Sequence, residues 1–568
     1  MRFCWGDEFS LARLVRDIEN ADFIIAHNAK FELQWLRRCG VDTSKLVIWD
    51  TMIGEYVIGG NRWAWAQLSL AKSATRRLGS RPEDQKMDLV GEMFKAGLCS
   101  TDVPRSWLKS YCERDTRLAR KLFIAQRDYM HEDGQLLPVM YTRCLATPVL
   151  AHIEMNGMQL DAEKVSGLIG TKERRYAELQ NSIEELTGGI NINSPKQLAA
   201  FLYGGEGADD LPAPSLEFAE RTTRRGEPLR TATGKPKTDA DTVAALKATN
   251  ARQREFLAAY KESKELYNEL TKYLRKFSAC CEEVGGRLQA QFNQCNTRTH
   301  RLSSSGLDYA TQFQNFPRLY KPIFRARHAD SLIGEADGAQ LEFRVAAHLG
   351  RDEVALDDIK TGTDIHSVTA GIIGCSRQDA KAHTFKPLYG GRSGTRDEVR
   401  YYEYFRENYS GITATQQRWI DEVLSSKELR TEWGLKYYWP STRMERSGYV
   451  VNSTSICNYP VQAFATAEII PVGLVYFWHY VRAAGLQMSV VNTVHDSIIT
   501  ELPPEEVDHF HVLSQLCLID EVYTYLETVY GIRLTVPLGA GVSVGTHWGD
   551  EEAKNNETTY TAQEGTYG

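Results

Sequence analysis

Arg377, Lys381, Phe385 and Tyr389 stand four residues apart. On a helix four residues advance about 400°, so these side chains form one stripe that drifts roughly 40° per step, in the order cation, cation, ring, ring. Two cations can hold a polyphosphate, and two rings can stack on a sugar or a base. An amphipathic helix with two solvated cations and two core aromatics has the same pattern. Pro387 removes an amide hydrogen bond, which predicts a helix end near Lys386, completed by Gly390 and Gly391 and leaving Tyr389 just past a bend. Two carboxylates far apart in the chain add a second chemistry. Asp337 ends an apolar strand at 331–336, and Asp496 sits with His495 in a tight turn between two strands at 488–502. Brought together, such a pair can hold two Mg²⁺ ions, one lowering the pKa of a hydroxyl and the other binding a triphosphate.

The elements that must position these groups are numerous. A chain of 568 residues is too long for one core and implies three or four domains. Apolar residues make up 42% and charged residues 25%, the balance of an ordinary water-facing protein. The net charge of -7 does not advertise a nucleic-acid binder, but such binding depends on local basic surface. No uninterrupted apolar run approaches the ~20 residues of a membrane span, and the first residues lack the apolar core of a secretory signal. Eleven cysteines without a CxxC pair read as reduced thiols in a cytoplasm, with no zinc site. Residues 1–135 read as α/β, with a strand at 22–26 and a helix opening near Asn28. Residues 162–290 read as long helices around a basic loop at 221–237, which is either a phosphate-backbone contact or a solvated face. Residues 398–450 read as helical and aromatic-rich, the Asn458–Gln462 segment introduces a long helix, and 551–568 is polar enough to be a disordered tail.

The 377–391 stretch resembles the fingers helix of family A DNA polymerases (DNA polymerase I, Klenow-fragment-like), which holds the incoming nucleotide. Further motifs match in order: TRTHRLSS at 297–304, QNFP at 314–317, DGAQLEFR at 337–344, DIHSVTA at 364–370, NYPVQ at 458–462 and HDS at 495–497. Most relatives have Glu where Ser497 stands, and an Arg where Thr454 stands. The resemblance implies catalytic Asp337, Asp496 and Lys381, with the metal held by both aspartates and the Gly338 backbone. It implies nucleotide contacts from Gln340, Glu342, His366, Arg377, Lys381, Phe385 and Tyr389. DNA contacts fall to Arg301, Asn315, Arg344, Asn458, Gln462 and His495. An Arg in the minor groove checks pair shape, because acceptors occur there at every correct pair. Glu342 and Tyr389 crowd the sugar 2′ position, and Phe385 goes with rejection of dideoxynucleotides.

Ahead of this part, Asn28, Phe31 and Glu32, with Tyr111 and Asp115, resemble the second and third motifs of DnaQ-like 3′→5′ exonucleases. That chemistry needs a carboxylate cluster around two metals about 4 Å apart. The first motif, Asp-x-Glu on a strand, has no counterpart: the nearest acidic pair, Asp7 and Glu8, follows no strand, and Glu32 stands where Asp is usual. The resemblance therefore implies a partial exonuclease domain that does not proofread alone, and ordinary surface carboxylates would look the same.

The fold implied is an α/β and α+β multidomain right hand. The exonuclease-like part takes 1–135, the approach to the palm 136–161, the thumb 162–295, palm 296–355, fingers 356–455, palm again 456–550 and the tail 551–568. The function implied is template-directed addition of dNTPs to a primer 3′-hydroxyl, with two Mg²⁺ ions that Mn²⁺ can replace. Primer–template DNA and dNTPs are the partners. A phage replicative monomer in a bacterial cytoplasm, working with a helicase, primase or single-strand binding protein, is the implied setting. A single-subunit RNA polymerase would usually carry Tyr at 385 and lack the Glu342 gate, and an inactive DNA-binding paralogue would have lost Asp337, Asp496 or Lys381.

Overall fold

The computed structural model describes residues 8–62, 67–79, 89–220, 229–231, 233–306 and 309–567. Two compact units emerge, Gln159–Leu288 and the remainder of the chain on either side of it. Asp7 and most of the basic loop at 221–237 lie outside the described residues.

The larger unit is built on a five-stranded antiparallel sheet in the order Ser489–Val494, Ser497–Leu502, Leu332–Gly338, Gly539–Gly545, Thr558–Thr561. Ile333, Val490, Val491, Ile498, Ile499 and Val542 are buried, the β-branched filling that suits a sheet covered by helices. Leu332–Gly338 is the central strand, hydrogen-bonded on both sides, so its end is among the most firmly placed points of the unit. Gly334 is required there: a Cβ would come within 2.6 Å of the Phe510 ring, which packs down from the helix Val507–Gln515.

Leu136–Asn156 and Ser453–Ala483 are each long and apolar enough to cross a membrane, although neither is an uninterrupted apolar run. They are 78% and 83% buried inside this unit, and so serve as core helices. The second contains a π turn, Phe464–Ile469, held by a buried pair: Arg143 donates to the Ala467 carbonyl and to Glu468 (2.6 Å), whose other oxygen accepts from Tyr530 at 2.5 Å.

The N-terminal part of this unit has two short parallel strands, Ile24–Ala26 and Ile48–Asp50, packed among helices Ala29–Arg38, Thr51–Gly59 and Arg105–Asp133. The other unit, Gln159–Leu288, is helical. Ala162–Thr187 is capped by Asp161, and Ala251–Glu269 continues through a π turn, Leu270–Leu274, into Arg275–Val284. Leu179, Ile183, Phe201, Leu202, Phe256 and Tyr260 form its core, and Arg175–Glu262 and Lys172–Glu269 pair the two long helices along their rims.

Three expectations are corrected. The 398–450 stretch is helical only through Arg396–Asn408 and Ser410–Ser426. A hairpin follows, Glu428–Arg430 with Lys436–Tyr438, because Gly434 (φ +99°) allows a turn between its alternating residues. Asn458 lies inside the helix Ser453–Ala463 rather than ahead of it. The polar tail is ordered: Glu551–Asn555 is a helix with Ala553 buried against Gly545, and Thr558–Thr561 adds an edge strand to Gly539–Gly545. Its threonines and Tyr560 favour a strand, a preference that overall polarity conceals.

Candidate active site

Asp337 stands at the end of the central strand, cross-strand from Ser497 on one side and Gly541 on the other. Asp496 stands in the turn after Ser489–Val494, where His495 takes a left-handed conformation (φ +57°). The Gly338 amide donates to the Asp496 carbonyl (3.0 Å), tying the two motifs together through the backbone. The carboxyls lie within hydrogen-bonding reach of each other. Asp337 opens to solvent above, yet the protein crowded around it and the charge of Asp496 push it well above the usual carboxylate range; crowding also raises Asp496. Two anions so close need either a shared proton or a cation. Lys321, lying 4.4 Å over the Trp548 ring, pairs with Glu335 at 2.9 Å on the same strand.

A residue that the sequence reading did not assign holds this turn. Gln314 accepts from the His495 amide (2.9 Å) and donates to the Thr493 carbonyl (2.9 Å), bracketing the turn from both sides. Its only sequence signal is its place beside Asn315 in the QNFP element. Asn315 itself is exposed in a short 3₁₀ turn.

Glu342 lies in the first turn of the helix Leu341–Gly350, and the Tyr389 hydroxyl donates to its carboxylate. Burial pushes Glu342 up to about 7, against the pull of Arg301. Gln340 is exposed at the N-cap with φ +50°. Arg344 does not reach the cleft: it donates to the Ala339 (2.7 Å) and Pro537 carbonyls, bracing the strand end from within. A sequence cannot tell a guanidinium that meets phosphates from one that meets carbonyls.

The two cations of the stripe lie on the helix Arg377–Thr384, capped by Ser376; Phe385 stands at its C-terminal cap and Tyr389 beyond it, and the helix does end ahead of Pro387. A 3₁₀ turn, Pro387–Tyr389, follows, and Gln416 donates to the Leu388 carbonyl (2.7 Å) left over at that break. Arg377 meets Asp364 through Nε (2.6 Å) and Nη2 (3.3 Å). His366 shares a hydrogen bond through Nδ1 with Thr384 Oγ1 (3.0 Å) and stands edge-on to Phe385 at 5.4 Å. Partial burial, then Arg377 and Arg318, lowers the Lys381 pKa.

On the facing side Arg301 and His495 meet at 3.1 Å. Desolvation and the charges of Arg301, Lys321 and Arg318 bring His495 down to about 4, so it is neutral near pH 7 and accepts from Arg301. Asn458 and Gln462 are one helical turn apart on the half-buried side of their helix, and the Asn458 Oδ1 has no partner among the described residues.

The family described as DNA polymerase family A matches residues 163–550 of this chain, more than half of its length. The chain belongs to DNA polymerase family A. It is 25% identical over 560 residues to DNA polymerase I of Pseudomonas aeruginosa, covering 92% of this chain and 56% of that protein. With the Aquifex aeolicus DNA polymerase I identity is 24% over 567 residues, 92% and 89% of the two chains. With the thermostable enzyme of Thermus aquaticus it is 29% over 429 residues, 70% and 47%. This chain thus spans about half the length of most of these relatives. Among solved structures, the POL domain of Pol1 from M. smegmatis, in complex with DNA primer-template and dNTP, has the same fold (TM-score 0.72, 22% identity, 95% of this chain and 89% of that one).

The exonuclease-like residues of this family A chain are arranged differently from its palm. Asn28 (φ +66°) occupies a helix N-cap without a side-chain bond. Asp50, unassigned from the sequence, is buried and accepts from the amides of Asn28 (2.9 Å), Ala29 (2.7 Å) and Met52 (2.9 Å). Glu32 is exposed by area, yet the protein around its carboxyl, with Asp50, pushes it up to about 7. Asp115 pairs with Arg114 (3.2 Å), whose guanidinium lies 5.1 Å over the Tyr111 ring. The helix Thr51–Gly59 instead reaches the palm: Tyr56 donates to the Thr297 carbonyl and stacks on His300 at 4.1 Å, one residue before Arg301.

Proposed function

We propose that this chain is a template-directed DNA polymerase that adds dNTPs to a primer 3′-hydroxyl. The observation that carries the reading is the joining of Asp337 and Asp496, from separate motifs, into one uncompensated carboxylate pair beside the Gly338 backbone. Their crowding fits hard divalent cations with oxygen ligands, Mg²⁺ or Mn²⁺. Bound there, such ions supply charge neutralisation at the attacking hydroxyl and at the triphosphate.

The rest is positioning and proton transfer by the chain itself. Arg377 and His366 grip phosphate oxygens, Arg377 with several fixed donors. Lys381, its proton loosened by burial and by its cationic neighbours, gives that proton to the departing pyrophosphate. Phe385 faces the nucleotide, and the Tyr389–Glu342 bond closes the space a 2′-hydroxyl would need, which favours a DNA over an RNA product. Arg301 with neutral His495, and Asn458 with Gln462, meet the minor groove at the primer end. Exposed Gln340 and Asn315 border this track. The N-terminal part acts as a scaffold for the Arg301 loop rather than as a proofreading site. The free cysteines among the described residues, five of them buried, suit a reducing cytoplasm, with a phage replisome as the setting.

A primer-extension assay with Mg²⁺ tests this, using deoxy-, ribo- and dideoxynucleotides on wild type and Asp496→Ala. Template-dependent extension by dNTPs, lost in the variant, is expected. Absence of extension by the wild type would sink the reading, and shortening of the primer without dNTPs would overturn the scaffold role.

A further inference from the structure

Among the cations expected to meet the triphosphate, Arg377 already holds an anion. Its Nε and Nη2 both donate to the Asp364 carboxylate, at 2.6 and 3.3 Å, in the forked geometry a phosphate would accept. That bond, with the hydroxyl of Ser367, holds the Asp364 carboxyl below the usual carboxylate range. Asp364 is also fastened independently of Arg377. It caps the helix Ile365–Ile373, accepting from the His366 amide (3.2 Å) and from Ser367 Oγ (2.6 Å). The carboxylate therefore stays in place when Arg377 leaves it. Both side chains are open to water, Arg377 53% and Asp364 37% exposed, so the pair is weak and exchangeable. Around it, Lys381 makes no ion pair among the described residues, and His366 offers only Nε2.

We propose that Asp364 is a resident competitor for the nucleotide's phosphates: it parks Arg377 until a more highly charged ligand displaces it, and so makes the site favour triphosphates over shorter phosphates. This rests on the polymerase reading for the identity of the ligand. The physical basis is charge. A carboxylate carries one negative charge, a triphosphate about four, and the ligand must win Arg377 while passing a fixed anion that repels it. A ligand with few charges, meeting Lys381 alone, gains too little to displace Asp364. In this account Asp364 is a positioning residue that acts through Arg377.

Asp364→Asn is the informative variant, since Asn caps a helix as well as Asp and keeps its size while losing the charge. Two readouts are needed. Steady-state incorporation should show a KM for dNTP lowered about two- to fivefold, the range expected for removing an exposed ion pair, with the change in KM rather than kcat. Calorimetric titration of the full chain with inorganic tripolyphosphate and with pyrophosphate, which needs no turnover, should show both binding more tightly, pyrophosphate by the larger factor. Asp364→Ser, also a capping residue, should move both readouts in the same direction. An unchanged or raised KM in an Asp364→Asn enzyme that still extends primers would overturn the inference alone, since Asp364 would then be helping Arg377. Tripolyphosphate binding that tightens in Asp364→Asn, in a chain that extends no primer, would uphold the competitor and sink the polymerase reading instead.

Discussion

The palm and the exonuclease-like part use carboxylates in opposite ways. In the palm, Asp337 and Asp496 face each other with no cation among the described residues bonded to either, and the nearby Lys321 is spent on Glu335. In the N-terminal part most of the acids named above are compensated: Asp50 takes three amides, Asp115 has Arg114, and buried Glu55 has Arg76 (3.1 Å) and Arg77 (2.8 Å), while Glu32, raised to about 7 beside Asp50, is the exception. An acid that is already compensated holds a fold together. Adjacent acids left uncompensated in a crowded site hold a proton at a raised pKa and remain available to a metal. Residue type alone does not separate the two cases; local partners do.

The comparison breaks most visibly at Asp337. Asp337→Asn should reduce incorporation by about three orders of magnitude or more, as expected when a transition-state charge loses its counter-ion site. Without divalent cation the same variant should melt at the same temperature or higher, because it relieves a like-charge contact. A lower melting temperature would place Asp337 with the structural acids. Gln314→Leu should come next, with kcat falling about tenfold as the His495–Asp496 turn loses its two bonds to Gln314, each worth about 1 kcal/mol. Single-turnover rates check this, and unchanged kinetics would show that the turn holds itself.

Asp50→Asn should do the reverse of Asp337→Asn, lowering stability by about 2 kcal/mol through weakened charged hydrogen bonds while the folded variant still extends primers. Denaturant unfolding measures it. A pH effect at Glu342 comes last. Its pKa in the fold, about 7, lies above the unfolded value near 4.3, so the stability linked to its proton is fully present below about pH 4.3 and is lost as pH rises through 7. Relative to Glu342→Gln, the wild type should therefore lose on the order of 2 kcal/mol across that window; parallel melting curves would contradict it.

Much of this site was legible in the sequence because its pieces are local. The i, i+4 stripe interrupted by Pro387 gives both the helix and its end, and the apolar residues on either side of His495–Asp496 give two strands and a turn. What was hidden depends on partners distant in the chain. Gln314 clamps a turn formed by residues 493–495, Gln416 serves the carbonyls after Pro387, and Arg344 turns inward because the Pro537 carbonyl is there to meet it. Asp50 stood in view but showed no pattern, since its partners are backbone amides. The tail was misread because a four-residue edge strand needs only Thr, Tyr and a free neighbouring edge, features that composition averages away.

The most direct test sets Asp496→Asn beside Asp50→Asn in single-turnover dNTP incorporation across a Mg²⁺ titration, at a temperature where both are folded. Asp496→Asn should lose at least about a thousandfold in rate and its response to Mg²⁺, whereas Asp50→Asn should stay within about threefold of wild type. An Asp496→Asn enzyme that keeps Mg²⁺-dependent synthesis, or a folded Asp50→Asn enzyme that loses it, would contradict the division between the two regions.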